Sequence, residues 1–370
     1  MFPNLSVKKS KFLIIYFLVL AAWLSTTAMH IPDGYLSPLS SLVMFLLVLP
    51  FWLIGARKIR ESMNARSVPL IALLAAFSFV IMMFNVPLPG GTTGHATGAA
   101  LAAIILGPEA AVVAVSIALI IQAFFFGDGG VLAIGANCFN MAVVIPYVSY
   151  AVYRMVVQNN STGSSRRFIA AALGGWTGVT ISAFLTGVEF GLQPILFHAA
   201  DGSPLYAPFG LEISVPAMVI PHMLVASVVE GLLTALVVVY LQRSNSSILE
   251  LSENKFAESN DGGQHKLRPF IVGLFILIAA APLGLLAPGT AWGEWGTGEL
   301  TKIGLKSIPI GLEKLSTLWG APLAGYSLPG LGNTNLGYVL SAASGILITG
   351  LLVWLFSLLL THTGSNKKQI

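Results

Sequence analysis

The chain has 370 residues, of which 55% are hydrophobic and only 9% are charged. Soluble domains carry about 25% charged residues, so this chain has too few to cover a soluble core. That excludes a soluble enzyme and a disordered protein, and the single cysteine, Cys138, excludes a disulfide scaffold. The net charge of +4 is too small to indicate nucleic-acid binding. The composition predicts an all-α polytopic membrane protein.

Residues 1–28 have the pattern of a signal peptide. A basic start at 8–11 precedes an apolar run at 12–23, which is shorter than the about 20 residues that span a bilayer. An uncleaved anchor helix is the alternative, but the short run and the small residues after it favour cleavage after Ala28. The mature chain would then begin at Met29, with its N-terminus outside the cell.

Apolar segments then recur along the chain and show no alternation of every second residue, so they predict helices rather than barrel strands. The segments are 39–56, 68–86, 96–107, 109–127, 131–156, 167–190, 215–242, 268–287 and 335–361. The segment at 96–107 is short for a full crossing and is alternatively tilted, buried or re-entrant. The expected architecture is a core of about seven helices after the signal peptide, followed by two C-terminal transmembrane helices.

The loops sort by charge if each segment crosses once from an outside start. The predicted outside loops carry only Lys302, Lys306 and Lys314. The predicted inside loops carry the remaining basic residues beyond the leader: Arg57, Lys58, Arg60, Arg66, Arg154, Arg166, Arg167, Arg243, Lys255, Lys266, Arg268, Lys367 and Lys368. This asymmetry follows the positive-inside rule and predicts a multi-pass protein of the cell (inner) membrane.

One polar stretch divides the chain. Residues 243–267 are rich in Ser, Asn and charge and predict a cytoplasmic linker. The membrane core is therefore expected at 29–242, and a two-helix extension at 268–370.

A free N-terminus at Met29 followed by His30 predicts a metal chelate. The α-amine, the His30 amide nitrogen and the His30 imidazole can bind one ion, and Ni(II), Cu(II) and less readily Co(II) prefer such nitrogen donors. A further donor on the same face is needed, and His95 lies in a glycine-rich loop predicted to be outside. Read alone, His95 is a capping residue; beside the Met29-His30 terminus it is the better candidate for a ligand.

Other polar residues are candidates for supporting roles, each with a structural alternative. Asp33 either orients a ligand or shapes a turn, and Asn137 and Asn140 either bond between helices or support the metal loop. His222 is a support or transfer residue, or else a hydrogen-bonded core histidine. Asp128, among glycines, is interpreted as a turn and cap residue.

Three stretches resemble the CbiM/NikM family, the substrate-binding membrane components of energy-coupling-factor transporters for cobalt and nickel. They are MHIPDGYL (29–36), GTTGHATGAALAAIILGPEAA (91–111) and QAFFFGDGGVLAIGANCFNM (122–141), within a resemblance that covers roughly 29–242. The resemblance implies that Met29, His30 and His95 bind the ion.

The same resemblance implies partners. These are a coupling membrane subunit of the CbiQ/NikQ type and cytoplasmic ATPases of the CbiO/NikO type, since the chain has no Walker motif of its own. Residues 268–361 stand where some members carry a fused small subunit of the CbiN/NikN type, but the sequence Pro-Asp-Gly-Leu-Glu is absent. No cofactor is expected beyond the transported ion.

Two other functions compete with metal uptake. One is an S-component-like binder of an organic vitamin, and the other is an intramembrane enzyme that uses His222 and Glu230. Planar nitrogen donors favour nickel and the appearance of the core motifs favours cobalt slightly, so the sequence leaves the metal open.

Overall fold

The computed structural model describes residues 30–62, 67–88, 92–157, 164–244, 264–287, 291–302, 305 and 307–365. The predicted leader at 1–28, Met29 and most of the predicted linker lie outside the described residues. Cleavage and the position of the Met29 amine therefore stay predictions.

Helices make up most of the described chain, which also has one short hairpin. The helices are α1 (Pro38–Ser62), α2 (Ser67–Ile81), α3 (Ala99–Leu106), α4 (Pro108–Phe126), α5 (Ile134–Val157), α6 (Ser164–Leu196), α7 (Leu211–Arg243), α8 (Gln264–Ala280), α9 (Thr297–Lys302), α10 (Ile310–Leu315) and α11 (Thr334–Ser365). Strands β1 (Asn85–Leu88) and β2 (Thr92–His95) pair antiparallel between α2 and α3. Seven helices in the described ranges are long and apolar enough to cross a bilayer, which confirms the predicted fold class.

The short segment at 96–107 is a buried helix. All residues of α3 are buried, and Gly107, with φ of 82°, turns the chain directly into α4. The Glu230 carboxylate of α7 accepts hydrogen bonds from the backbone amides of Thr97 (2.7 Å), Gly98 (3.0 Å) and Ala100 (3.2 Å). These are the free donors at a helix start, so Glu230 caps α3 and is not paired with a histidine.

Three of the described helices contain π-helical turns, at Gln122–Phe126, Cys138–Val144 and His222–Ala226. Such turns are uncommon and occur often at functional sites. They lie in α4, α5 and α7, and the turn in α7 begins at His222, which lines a cavity together with His30, as described below.

The C-terminal extension is docked on the core. The Tyr338 hydroxyl of α11 donates to the Met83 carbonyl after α2 (3.1 Å). The loop between α8 and α11 lies over the same end of the core, because the Leu323 amide donates to the Phe125 carbonyl (2.9 Å) and the Tyr35 hydroxyl donates to the Trp295 carbonyl (2.8 Å). This end of the bundle also holds the start of the described chain.

Several described basic residues lie at the opposite end, whereas Lys302 and Lys314 lie in α9 and α10. Arg57, Lys58 and Arg60 lie in the last turns of α1, and Arg154 and Arg243 end α5 and α7. The positive-inside rule assigns this end to the cytoplasm, so the end with His30 is predicted to face outside.

Candidate metal centre

Two histidines far apart in the sequence meet at the end of the bundle that holds the start of the described chain. The His30 and His95 ring centroids are 5.1 Å apart, with ring planes tilted by 34°. His30 is 2% exposed and His95 is completely buried. His30 precedes α1, and His95 ends β2, where the hairpin register pairs it with Asn85. The structure thus places together the two imidazoles that the sequence selected as ligands.

The His30 ring faces a carboxylate. Its Nδ1 lies 2.8 Å from Oδ1 of Asp128, while its Nε2 is buried without a hydrogen-bond partner in the described part of the chain. Asp128 was interpreted as a turn residue, and that interpretation missed its contact with His30. The glycines beside Asp128 could have indicated a close approach of another segment. A Cβ on Gly129, whose φ is 89°, would lie 3.1 Å from Cβ of His30, so this approach requires glycine.

The residues that follow His30 are held from both sides. The Asn137 side chain accepts from the Ile31 amide (2.8 Å) and donates to the Ile31 carbonyl (3.0 Å). The Asp33 carboxylate accepts from the amides of Val131 (2.9 Å) and Leu132 (2.8 Å). Asn137 therefore positions the residue next to His30, and Asp33 ties the same segment to the loop that carries Asp128.

Asn140 and His222 have different surroundings. Asn140 donates to Thr186 (3.1 Å) and Glu189 (3.0 Å), so its hydrogen bonds join α5 to α6 instead of supporting the histidines. His222 is 3% exposed and shares with His30 the lining of a cavity of about 10 Å³. Its Nδ1 lies 2.5 Å from the Met218 carbonyl, and its Nε2 has no partner among the described residues.

The size of that cavity limits what it can hold. A site needs about 10–15 Å³ for one water molecule, so the cavity beside His30 has room for a group of that size only. Its lining includes Trp292 and Glu294 from the loop between α8 and α11. Sequence reasoning did not select Glu294, although it stands between Trp292 and Trp295 in a loop rich in glycine.

Burial and the neighbouring His30 ring favour the neutral form of the His95 imidazole. Burial, together with the nearby His30 ring, lowers the pKa of His95 to about 3. The His95 Nδ1 lies 3.1 Å from the Ala96 carbonyl; because a carbonyl only accepts, Nδ1 carries the proton and Nε2 keeps the lone pair. A neutral imidazole is the form that binds metals.

The two carboxyl groups near His30 differ. Burial by itself raises the pKa of Asp128, but the facing His30 ring and the Tyr326 hydroxyl outweigh it and hold that pKa below its usual value. Burial, and then the charge of Asp128, raises the pKa of Glu294 well above its usual value, against the opposing effect of the His30 backbone amide. Asp128 is therefore the anionic partner of the site.

In the described ranges, no group of three or more His, Cys, Asp or Glu side chains has the arrangement of a metal site. The described side chains thus supply the two imidazoles only. The further donors predicted from the sequence include the His30 amide nitrogen, which faces Glu294 in this structure.

Comparisons with known proteins agree on the family. A family model described as the cobalt uptake substrate-specific transmembrane region matches residues 30–248. A second model, the PDGLE domain, matches residues 267–362, although the five letters of that name are absent from the chain. The extension therefore resembles a known domain more closely than its short motif indicated.

Relatives and solved structures match much of the chain. A protein named fused nickel transport protein NikMN, from Rhodobacter capsulatus, is 47% identical over 332 residues, covering 86% of this chain and 94% of that protein. A protein named probable fused nickel transport protein LarMN, from Lactiplantibacillus plantarum, is 39% identical over 88% of this chain and 96% of its own length. A crystal structure of a truncated transition metal transporter matches with a TM-score of 0.55 at 49% identity, over 58% of this chain and 99% of that one. The chain therefore belongs to the CbiM/NikM family of cobalt and nickel transporter components.

Proposed function

We propose that this chain is the substrate-binding membrane component of an ATP-driven energy-coupling-factor system that takes up nickel or cobalt ions. The observation that supports it best is the buried pair of His30 and His95, with ring centroids 5.1 Å apart. A buried imidazole pair, of which His30 lines a water-sized cavity, suits a bare ion. An organic vitamin needs a pocket of about 300 Å³ or more, whereas the larger cavity lined by Asp33 and Glu294 has about 140 Å³.

The proposed donors are the Met29 amine, the His30 amide nitrogen, the His30 imidazole and the His95 imidazole. Cleavage after Ala28 is required, because an amine at Met29 exists only in the processed chain. Chelation by the amide and the ring of one residue uses Nδ1, which faces Asp128 in the structure. That contact is given up when the ion binds, and because a half-turn of the ring places Cδ2 where Nδ1 was, the ring must also shift for its Nε2–H to donate to Asp128.

Nickel is the metal we propose first. Four nitrogen donors that include a deprotonated amide suit square-planar Ni(II). The two fused relatives described above carry nickel in their names. Cobalt is the second candidate, since the matching family model is described by cobalt uptake.

Transport would need energy from partners. We propose a coupling membrane subunit of the CbiQ/NikQ type and cytoplasmic ATPases of the CbiO/NikO type. The match of the extension to the PDGLE domain supports the view that it takes the place of a separate CbiN/NikN-type subunit.

The test combines mass spectrometry with metal binding. We expect the purified protein to begin at Met29 and to bind Ni(II) in competition with a chelator. His95→Ala should weaken this binding by more than about 100-fold, because it removes a ligand. His198→Ala is the matched control, since His198 is exposed in a loop between α6 and α7, and it should bind as the unmodified chain does. A chain that keeps its leader, or a His95→Ala variant with unchanged affinity, would contradict the proposal.

A further inference from the structure

A hydrogen-bonded chain leads from the C-terminal extension to His30. The Tyr326 hydroxyl donates to Oδ2 of Asp128 at 2.5 Å, and the other carboxylate oxygen, Oδ1, faces Nδ1 of His30 at 2.8 Å. The Gln122 amide donates to the same hydroxyl at 3.0 Å. Each oxygen of Asp128 thus has one partner, and the two partners come from different parts of the polypeptide.

Tyr326 is held firmly in this position. Its ring stacks on Phe126 with centroids 4.8 Å apart and planes inclined by 22°, and the Ser341 hydroxyl donates to its carbonyl (2.9 Å). Its φ of 57° is left-handed, the one such value outside glycine in the described ranges. A bulky residue keeps such a backbone conformation only where its surroundings impose it, and such residues concentrate at functional sites.

The Tyr326 hydroxyl both accepts and donates a hydrogen bond. It accepts from the Gln122 amide, and it donates its single proton to Asp128. Without that proton, Oδ2 of Asp128 would be left unpaired in a side chain that is 9% exposed. The carboxylate would then lose the contact that fixes its orientation towards the His30 ring.

We infer that Tyr326 is a positioning residue for metal binding, which acts on His30 through Asp128. Carboxylates that hold metal-binding histidines set the orientation and the protonated nitrogen of the ring, and here the extension holds the carboxylate in turn. The inference rests on the proposed function, because it assumes that His30 is a ligand. It assigns to the extension a direct effect on ion affinity that does not depend on any partner subunit.

The first experiment compares two tyrosines of the extension in the full-length protein. Tyr326→Phe keeps the ring and removes the hydroxyl, and it should weaken Ni(II) binding by about 10- to 100-fold in competition with a chelator. Tyr338→Phe is the matched control, because it removes a buried hydroxyl that bonds to the Met83 carbonyl; it should leave affinity within about twofold. Equal affinities for the two variants would overturn the inference.

A double-mutant cycle separates positioning from a purely structural role. If Tyr326 acts through Asp128, adding Tyr326→Phe to Asp128→Asn should cause no further loss of affinity. Independent losses that multiply would overturn the inference, as would an Asp128→Asn variant with unchanged affinity. The unmodified chain and His95→Ala are measured alongside. Absence of Ni(II) binding to the unmodified chain would refute the proposed function itself. Normal binding by the unmodified chain, together with an unchanged affinity of Tyr326→Phe, would refute this inference alone.

Discussion

The core and the C-terminal extension use their helices differently. Helix α4 of the core has 72% of its most apolar stretch buried within the protein, whereas α8 of the extension has only 11%. Both helices of the extension present most of their surface outwards, with 28% of the apolar stretch of α11 buried, and so does the peripheral helix α1 of the core, with 22%. The extension nevertheless reaches the candidate site, because the loop between α8 and α11 brings Glu294 to His30 and Tyr326 to Asp128. Its helices thus serve as an anchor, and its loop makes the contacts with the site.

All the proposed metal donors belong to the core. An alanine inserted before Met29 gives the terminus Ala-Met-His, whose amine, two amides and imidazole can supply four nitrogens by themselves, so we expect Ni(II) binding to lose its dependence on His95. The measurement is competition with a chelator, with and without His95→Ala, after mass spectrometry has verified the new N-terminus. An inserted chain that still loses more than about 100-fold in affinity on His95→Ala would remove the terminus from the site.

Substitutions in the core should also lower the stability of the protein the most. Glu230→Gln replaces an acceptor oxygen by an amide that faces backbone N–H groups at the start of α3, and it should lower the free energy of unfolding by about 2–3 kcal/mol. Glu212→Gln is the control, since Glu212 is exposed at the start of α7. Thermal melting in detergent compares them, and equal melting temperatures would show that Glu230 does not hold α3.

Helix α11 tests how tightly the extension is attached. A Cβ at Gly345 would overlap the Phe79 ring of α2, whereas a Cβ at Gly350 would meet no atom within 4 Å. Gly345→Ala should therefore destabilise by about 1–3 kcal/mol, while Gly350→Ala should be neutral or slightly stabilising. Detergent melting curves of both variants decide the matter, and an unaffected Gly345→Ala would mean that α11 moves easily on α2.

The smallest expected effect belongs to the edge of the site. Glu294 faces the His30 backbone amide and lines the small cavity, but it is not a proposed donor. Glu294→Gln preserves its shape, so Ni(II) affinity should change by no more than about tenfold. A loss as large as that of His95→Ala would instead make Glu294 a ligand, and the extension would then contribute a donor.

Sequence reasoning reached the ligand pair but not its surroundings. Met29-His30 and His95 were selected because amine, amide and imidazole chemistry is readable from neighbouring letters and from one glycine-rich loop. The sequence predicts a turn at Asp128, since glycines on both sides favour one, but it says nothing of the partner. For Asn140 the sequence allows either a bond between helices or support of the metal loop, and its hydrogen bonds to Thr186 and Glu189 of α6 agree with the first.

The amino-acid sequence by itself determined the membrane class, the helical segments and the two histidines, because apolar run length, charge asymmetry and donor chemistry are local properties. Only the tertiary structure decided that Asp128 faces His30 and that Tyr326, 198 positions further along the chain, holds Asp128. No local pattern specifies such a contact, since it depends on how α4, the loop between α8 and α11 and the start of the chain pack together. Hydrogen bonds between distant segments form only once that packing exists.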